Sequence, residues 1–160
     1  MSFSTADLCD AHKERLQVLE LPLQSYGGLT QCSGEIATVK LDQNNKALVE
    51  LLRDHAGEGR VVVVDVEANY NAVVGDNLMK FAHENGWSGI IIHGYVRDIA
   101  ITRTIPVGLF ALGTCPKKSF ADNPSQLGNP LSFGGVTFMQ GAYLYADEDG
   151  VIVAESLEDL

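Results

Sequence analysis

Two short segments of this 160-residue chain combine residue types that can bind and polarise a small anion. One is Gly75-Asp76-Asn77-Leu78, where a helical pattern begins; the other is Arg97-Asp98, just past an apolar β-branched run. A helix N-terminus presents unpaired backbone N–H groups and the positive end of the helix dipole, which suits a carboxylate or phosphate. Gly75 would let a ligand approach the backbone closely. Asp76 is equally readable as a helix cap. Arg97 offers a planar fork for a 2-oxo-carboxylate, and Asp98 is a hard oxygen ligand for a divalent cation. An Arg-Asp pair alone is just as well explained as a solvated surface pair. Its position gives it weight: it follows a buried strand, in the region where open α/β sheets bind ligands.

Other chemistries find little support. One carboxylate with waters suits Mg²⁺ or Mn²⁺, whereas zinc would demand more His or Cys. His12, His55, His83 and His93 form no H-x-x-x-H pair. His93 stands nearest the site, where a structural role at a strand end is expected. No G-x-S-x-G elbow, Walker A loop or strand-ending G-x-G-x-x-G occurs. A Schiff-base mechanism would need a lysine in the site, and only Lys80, one helical turn past Asp76, is near in sequence.

The elements that must position these residues are readable from periodicity. Ser4 and Asp7 have a capping-box-like spacing ahead of a short helix ending near Lys13. Residues 34–41 alternate like a half-buried strand. Residues 45–55 place Leu48, Leu51, Leu52 and His55 on one helical stripe, closed by Gly57 and Gly59. Residues 60–66 read R-V-V-V-V-D-V, the pattern of a strand covered on both faces. A loop over 67–74 should lead to a helix from Asp76 to Glu84. Residues 89–93 and 106–112 read as further buried strands, so strand, helix, strand forms a right-handed parallel crossover. A polar loop over 115–130 precedes short strands near 132–138, 142–146 and 151–154, with residues 147–150 as a hairpin turn. The expected class is α/β, with a parallel central unit and flanking antiparallel strands. No repeat or linker divides residues 1–160, so one domain is expected.

Charge narrows the partners. Eleven Lys and Arg face 21 Asp and Glu, a net −10, which disfavours a self-sufficient nucleic-acid-binding domain. Residues 147–160 hold six acids and no base, so the first 146 residues carry 15 acids and 11 bases, only −4. The body is nearly balanced and can hold a carboxylate. Cys9, Cys32 and Cys115 are odd in number and form no C-x-x-C. No basic-then-apolar leader or membrane-length apolar run is present, so a cytoplasmic protein with no membrane association is expected.

The spacing Asp76, twenty residues, then Arg97-Asp98 resembles the D-x20-R-D signature of the class II 4-hydroxy-4-methyl-2-oxoglutarate aldolase family, which includes the RraA-like regulators of ribonuclease activity. Thr5–Asp10 (T-A-D-L-C-D), Ser25–Gly28 (S-Y-G-G) and Gly34–Lys40 (G-E-I-A-T-V-K) are similar to the RraA branch. So are Asn85–Gly89 (N-G-W-S-G), Phe133–Phe138 (F-G-G-V-T-F) and Tyr145–Val153 (Y-A-D-E-D-G-V-I-V). The resemblance spans nearly the whole chain. It implies a swivelling β/β/α fold and a homotrimer with sites at subunit interfaces. It further implies that the N–H groups of Gly75, Asp76, Asn77 and Leu78 hold a pyruvoyl carboxylate. Arg97 would bind the substrate's oxo or carboxylate group, and Asp98 would hold Mg²⁺ or Mn²⁺, largely through waters.

The implied activity is cleavage of 4-hydroxy-4-methyl-2-oxoglutarate into two pyruvates, with oxaloacetate decarboxylation as a second reaction. Both break a C–C bond beta to a 2-oxo group and leave a pyruvate enolate, which the cation and Arg97 would stabilise. The base is unassigned: a metal-bound hydroxide or an ordered water fits, with Asp76 as a residue that could orient it. The chain departs from many relatives at Val66-Glu67-Ala68-Asn69, where they have a glycine-rich loop, and at Ile101, where they have an acid. An acidic residue supplied by a neighbouring subunit also has no clear equivalent near the C-terminus. The competing expectation is an RraA-like regulator that binds ribonuclease E through protein contacts, for which the acidic tail would suit an Arg-rich segment. A quinone methyltransferase is disfavoured, because no glycine-rich nucleotide loop follows the first buried strand.

Overall fold

The computed structural model describes residues 2–156; Glu158 and Asp159 of the acidic tail lie outside the described residues. The chain runs α1 (Thr5–His12), β1 (Gln17–Val18), β2 (Gln24–Ser25), β3 (Cys32–Lys40), α2 (Lys46–Asp54), β4 (Val61–Asp65) and β5 (Ala72–Val74). It continues with α3 (Asp76–Glu84), β6 (Gly89–His93), β7 (Tyr95–Val96), α4 (Ile99–Thr102), β8 (Gly108–Ala111) and β9 (Gly113–Thr114). The last elements are β10 (Gln126–Leu127), β11 (Leu131–Phe133), β12 (Val136–Phe138), β13 (Tyr143–Asp147) and β14 (Gly150–Ala154).

Strands β3, β4, β6 and β8 form a parallel centre in that order. Antiparallel β13, β14 and β1 extend it beyond β3, and antiparallel β2 closes the other edge beside β8. The apolar run of β4 is buried at every position, as a strand covered on both faces requires. Its residues alternate between two cores. Val62 and Val64 join Ile90 and Ile92 against Leu48, Leu52, Leu78 and Met79 of α2 and α3. Val61 and Val63 join Ile91 and Phe110 against Phe133, Phe138, Leu144 and Val153. The mixed sheet thus curls so that β13 and β14 cover the face opposite the helices, giving the expected swivelling β/β/α layering.

Cys32 shows how tightly the second core closes. A Cβ built on Gly89 would lie 2.4 Å from its Sγ, and one on Gly108 would lie 2.7 Å from it. The two glycines create the groove that this side chain fills.

A second, smaller parallel sheet, β5-β7-β9, was not expected. The region predicted as loop over 67–74 ends in β5, whose three residues are all buried, and the predicted loop over 115–130 contains β10 paired to β3. Both are too short to show a hydrophobic period; their partners define them. β5, β7 and β9 follow β4, β6 and β8 respectively along the chain, so the small sheet continues the carboxyl side of the large one. Gly94 permits the break between β6 and β7, since a Cβ there would meet Val66 Cγ1 at 2.5 Å. The predicted strand over 132–138 is a hairpin of two strands turned by Gly134 and Gly135, both at positive φ.

Candidate functional site

The tips of the small sheet deliver the predicted residues to one place. Val74 leads into Gly75 and α3, Val96 leads into Arg97-Asp98, and β9 leads into the segment carrying Lys118. The ladder persists past the strand ends: Arg97 N–H donates to Val74 O (2.9 Å) and Cys115 N–H to Val96 O (3.0 Å). Gly75, Asp76, Asn77, Leu78, Arg97 and Asp98 all line one cavity of about 80 Å³. Asn45 and Lys118 line it too.

Gly75 occupies the cap position of α3, and Asp76 is the first helical residue. Asp76 is therefore not the N-cap residue that one sequence reading made it. Its Oδ1 accepts from the N–H of its own neighbour Asn77 (3.0 Å), and its Oδ2 lies 3.5 Å from Lys80 Nζ. The Asp76 N–H points instead at Asp98 Oδ2, 3.3 Å away. The N–H of Leu78 has no acceptor among the described residues, as expected in the first turn of a helix. Arg97 is half-buried, and its one side-chain bond is from Nη1 to Pro116 O at 3.3 Å. That leaves most of its fork unused. Asp98 is exposed and left-handed (φ 61°), a region Asp tolerates better than most residues.

Asn45 and Lys118 were not among the site residues expected from the sequence, where Asn45 only opened a helical stretch. Asn45 donates to Val73 O at 2.8 Å and so braces the strand that carries Gly75. Lys118 comes from an irregular segment whose sequence has no periodicity to mark it. It is a second lysine near the site, besides Lys80. For a cation, the donor chemistry is hard oxygen: Asp98, with Asp76 beside it. Among the described residues no three His, Cys, Asp or Glu side chains converge on one point. A cation here would keep most of its waters, which fits Mg²⁺ or Mn²⁺ and not zinc.

A separate polar row lies on the other face of the large sheet. Strand register aligns Lys40, Asp65 and His93 across β3, β4 and β6. Asp65 is buried, with Oδ2 3.0 Å from Lys40 Nζ and Oδ1 2.9 Å from His93 Nδ1. Burial works to raise its pKa. The Glu67 N–H, Lys40 and His93 outweigh that and hold it below the usual carboxylate range. His93 stacks on Phe133 at 4.7 Å between centroids, so it ties the β11–β12 hairpin to the sheet, as its structural reading anticipates. Glu67, on the loop that follows β4, adds a second carboxylate 2.9 Å from Lys40 Nζ.

The family described as RraA-like (Aldolase/RraA) matches residues 5–153. A protein of Aromatoleum aromaticum named "Putative 4-hydroxy-4-methyl-2-oxoglutarate aldolase" is 41% identical over 157 residues, covering 98% of each chain. One of the same name from Laribacter hongkongensis is 43% identical, covering 96% of this chain and 97% of its own. A solved structure described as an S-adenosylmethionine: 2-dimethylmenaquinone methyltransferase from Geobacillus kaustophilus is 45% identical, with TM-score 0.92 and 96% of each chain covered. The RNA-processing inhibitor RraA from Thermus thermophilis is 34% identical with TM-score 0.91, covering 98% of this chain and 94% of its own. Fold, full-length coverage and the match over residues 5–153 agree, and the chain belongs to the RraA-like family.

Proposed function

We propose that this protein is a carbon–carbon lyase that splits 4-hydroxy-4-methyl-2-oxoglutarate into two pyruvates and, secondarily, decarboxylates oxaloacetate. The observation that carries the reading is the convergence of the α3 N-terminus, Arg97 and Asp98 on one cavity. The names of the relatives support the aldol chemistry.

In this reading the first-turn N–H groups of α3 hold the substrate's C1 carboxylate, and the unused fork of Arg97 faces the 2-oxo group. When the C3–C4 bond breaks, its electron pair moves onto the 2-oxo oxygen as an enolate, and the guanidinium balances that charge. Asp98 would hold Mg²⁺ or Mn²⁺, which would supply further neutralisation of the enolate charge. Asp76 stands at the mouth of the helix and orients the water that accepts the C4 hydroxyl proton. Protonation at C3 then gives pyruvate. In oxaloacetate the same bond breaks with loss of CO₂, so one set of residues serves both reactions. The reading includes a homotrimer with each site completed at a subunit boundary.

The second reading, a regulator that binds ribonuclease E, is favoured by the similarity to the Thermus RNA-processing inhibitor. The methyltransferase name of the Geobacillus neighbour fits this chain less well. β4 runs into Val66-Glu67-Ala68-Asn69, which lacks the glycine-rich nucleotide turn. The deciding experiment couples pyruvate release from both substrates to a reporter, with Mg²⁺ and with EDTA. Turnover with Mg²⁺ that EDTA abolishes, and that falls about 100-fold or more in Arg97→Ala, is expected for loss of a charge-stabilising donor. Equal inactivity of wild type, Arg97→Ala and Asp98→Ala with Mg²⁺ present overturns the lyase reading.

A further inference from the structure

One N–H of the anion seat at the α3 N-terminus is already taken by the protein itself. Asp98 Oδ2 accepts from the Asp76 N–H at 3.3 Å. It also crowds Gly75 so closely that a Cβ there would sit 2.5 Å from it. The left-handed backbone of Asp98 carries its carboxylate into this position. About 80 Å³ remains, room for two or three waters at about 30 Å³ each. Pockets that enclose small-molecule ligands are typically about 300 Å³ or more. A substrate carboxylate cannot take the Asp76 N–H while Asp98 holds it.

We propose that Asp98 is a built-in competitor for the carboxylate seat, displaced when a divalent cation draws its side chain away. The inference rests on the reading of α3 and Asp98 given above, and it adds an order: the cation first, the 2-oxo acid second. In the metal-free protein only the fraction of molecules with Asp98 swung out can bind an anion, and the apparent affinity falls by that fraction. A 3.3 Å hydrogen bond to an exposed carboxylate makes that fraction modest, on the order of one in two to one in ten.

The test titrates pyruvate calorimetrically into metal-free protein in EDTA at fixed ionic strength. Asp98→Gly removes the competitor and tolerates the left-handed backbone. Asp76→Asn removes one charge from the same cavity without removing the competitor, and so reports the purely electrostatic gain. Asp98→Gly should bind pyruvate about two- to tenfold tighter than wild type, and clearly tighter than Asp76→Asn. Mg²⁺ should tighten binding to wild type but not to Asp98→Gly. In wild type, the Asp76 amide resonance should move on adding Mg²⁺ alone, as the hydrogen bond to Asp98 breaks. The proposal is overturned if Asp98→Gly binds no tighter than wild type, gains no more than Asp76→Asn, or leaves the Asp76 amide where it is in wild type. The lyase reading is judged by turnover. An inactive wild type with the expected binding pattern would sink that reading alone, and an active wild type without the pattern would sink this one alone.

Discussion

Replacing Asp65 by alanine removes the acceptor at the centre of the polar row, and its cost can be worked from the contacts. Asp65 is 5% exposed. It accepts from Glu67 N–H at 2.8 Å, from Lys40 Nζ at 3.0 Å, and pairs with His93 Nδ1 at 2.9 Å. Truncating one partner of a fully buried ion pair costs about 3–5 kcal/mol. Two features reduce that here. Lys40 keeps Glu67 at 2.9 Å and its side chain is 31% exposed, so its charge is not stranded. His93 keeps its stacking on Phe133 when the carboxylate is gone. We expect a loss of about 2–3 kcal/mol, most of it from the orphaned Glu67 N–H and the partly desolvated ammonium. At about 2–4 °C per kcal/mol for a chain of this size, Tm falls by roughly 4–12 °C. Thermal melts followed by circular dichroism at pH 7 measure it, with Glu67→Ala as the control. Glu67 is 79% exposed, so its loss should stay within about 0.5 kcal/mol. A Tm for Asp65→Ala within about 2 °C of wild type, or an equal fall in Glu67→Ala, refutes the reasoning.

Two further outcomes follow from packing and titration. Asp65 and Asp147 both titrate below the usual carboxylate range: burial opposes this in each, but hydrogen-bond donors prevail, for Asp147 the Thr5 hydroxyl and N–H among them. Their contribution is therefore complete above about pH 4, where unfolded carboxylates ionise, and is lost as pH falls through the lower folded values. Melting temperature should drop steeply below about pH 4, and Asp65→Asn should flatten that limb; a flat wild-type profile down to about pH 3 contradicts it. Gly89→Ala should destabilise by about 1–3 kcal/mol, because its Cβ meets Cys32 Sγ at 2.4 Å in a filled core. Cys32→Ala should recover part of that loss in the double variant, whereas additive effects in urea melts would show that the two do not share the space.

The main layers were legible in the sequence because their signals are local. The β-branched run of β4 and the helical stripe of α2 each report burial through their own periodicity, and α3 begins where Gly75-Asp76 predicts. The spacing from Asp76 to Arg97-Asp98 was readable for the same reason: a helix and two strands, one of only two residues, separate the segments. β5, β7 and β9 were not legible, because two or three residues carry no period and are specified by their neighbours.

What the sequence by itself determined, then, is the identity of the layers and the residue types at the strand ends. It could not align Lys40, Asp65 and His93, whose meeting depends on the register between three strands. Nor could it place Lys118 beside Arg97, since that follows from a ladder that continues past the strand tips. Least of all could it show that Asp98 lies on the helix end. A pattern records which side of an element is buried; where a carboxylate points depends on one backbone angle and on the space a neighbouring glycine leaves open. Both of those are properties of the folded chain alone.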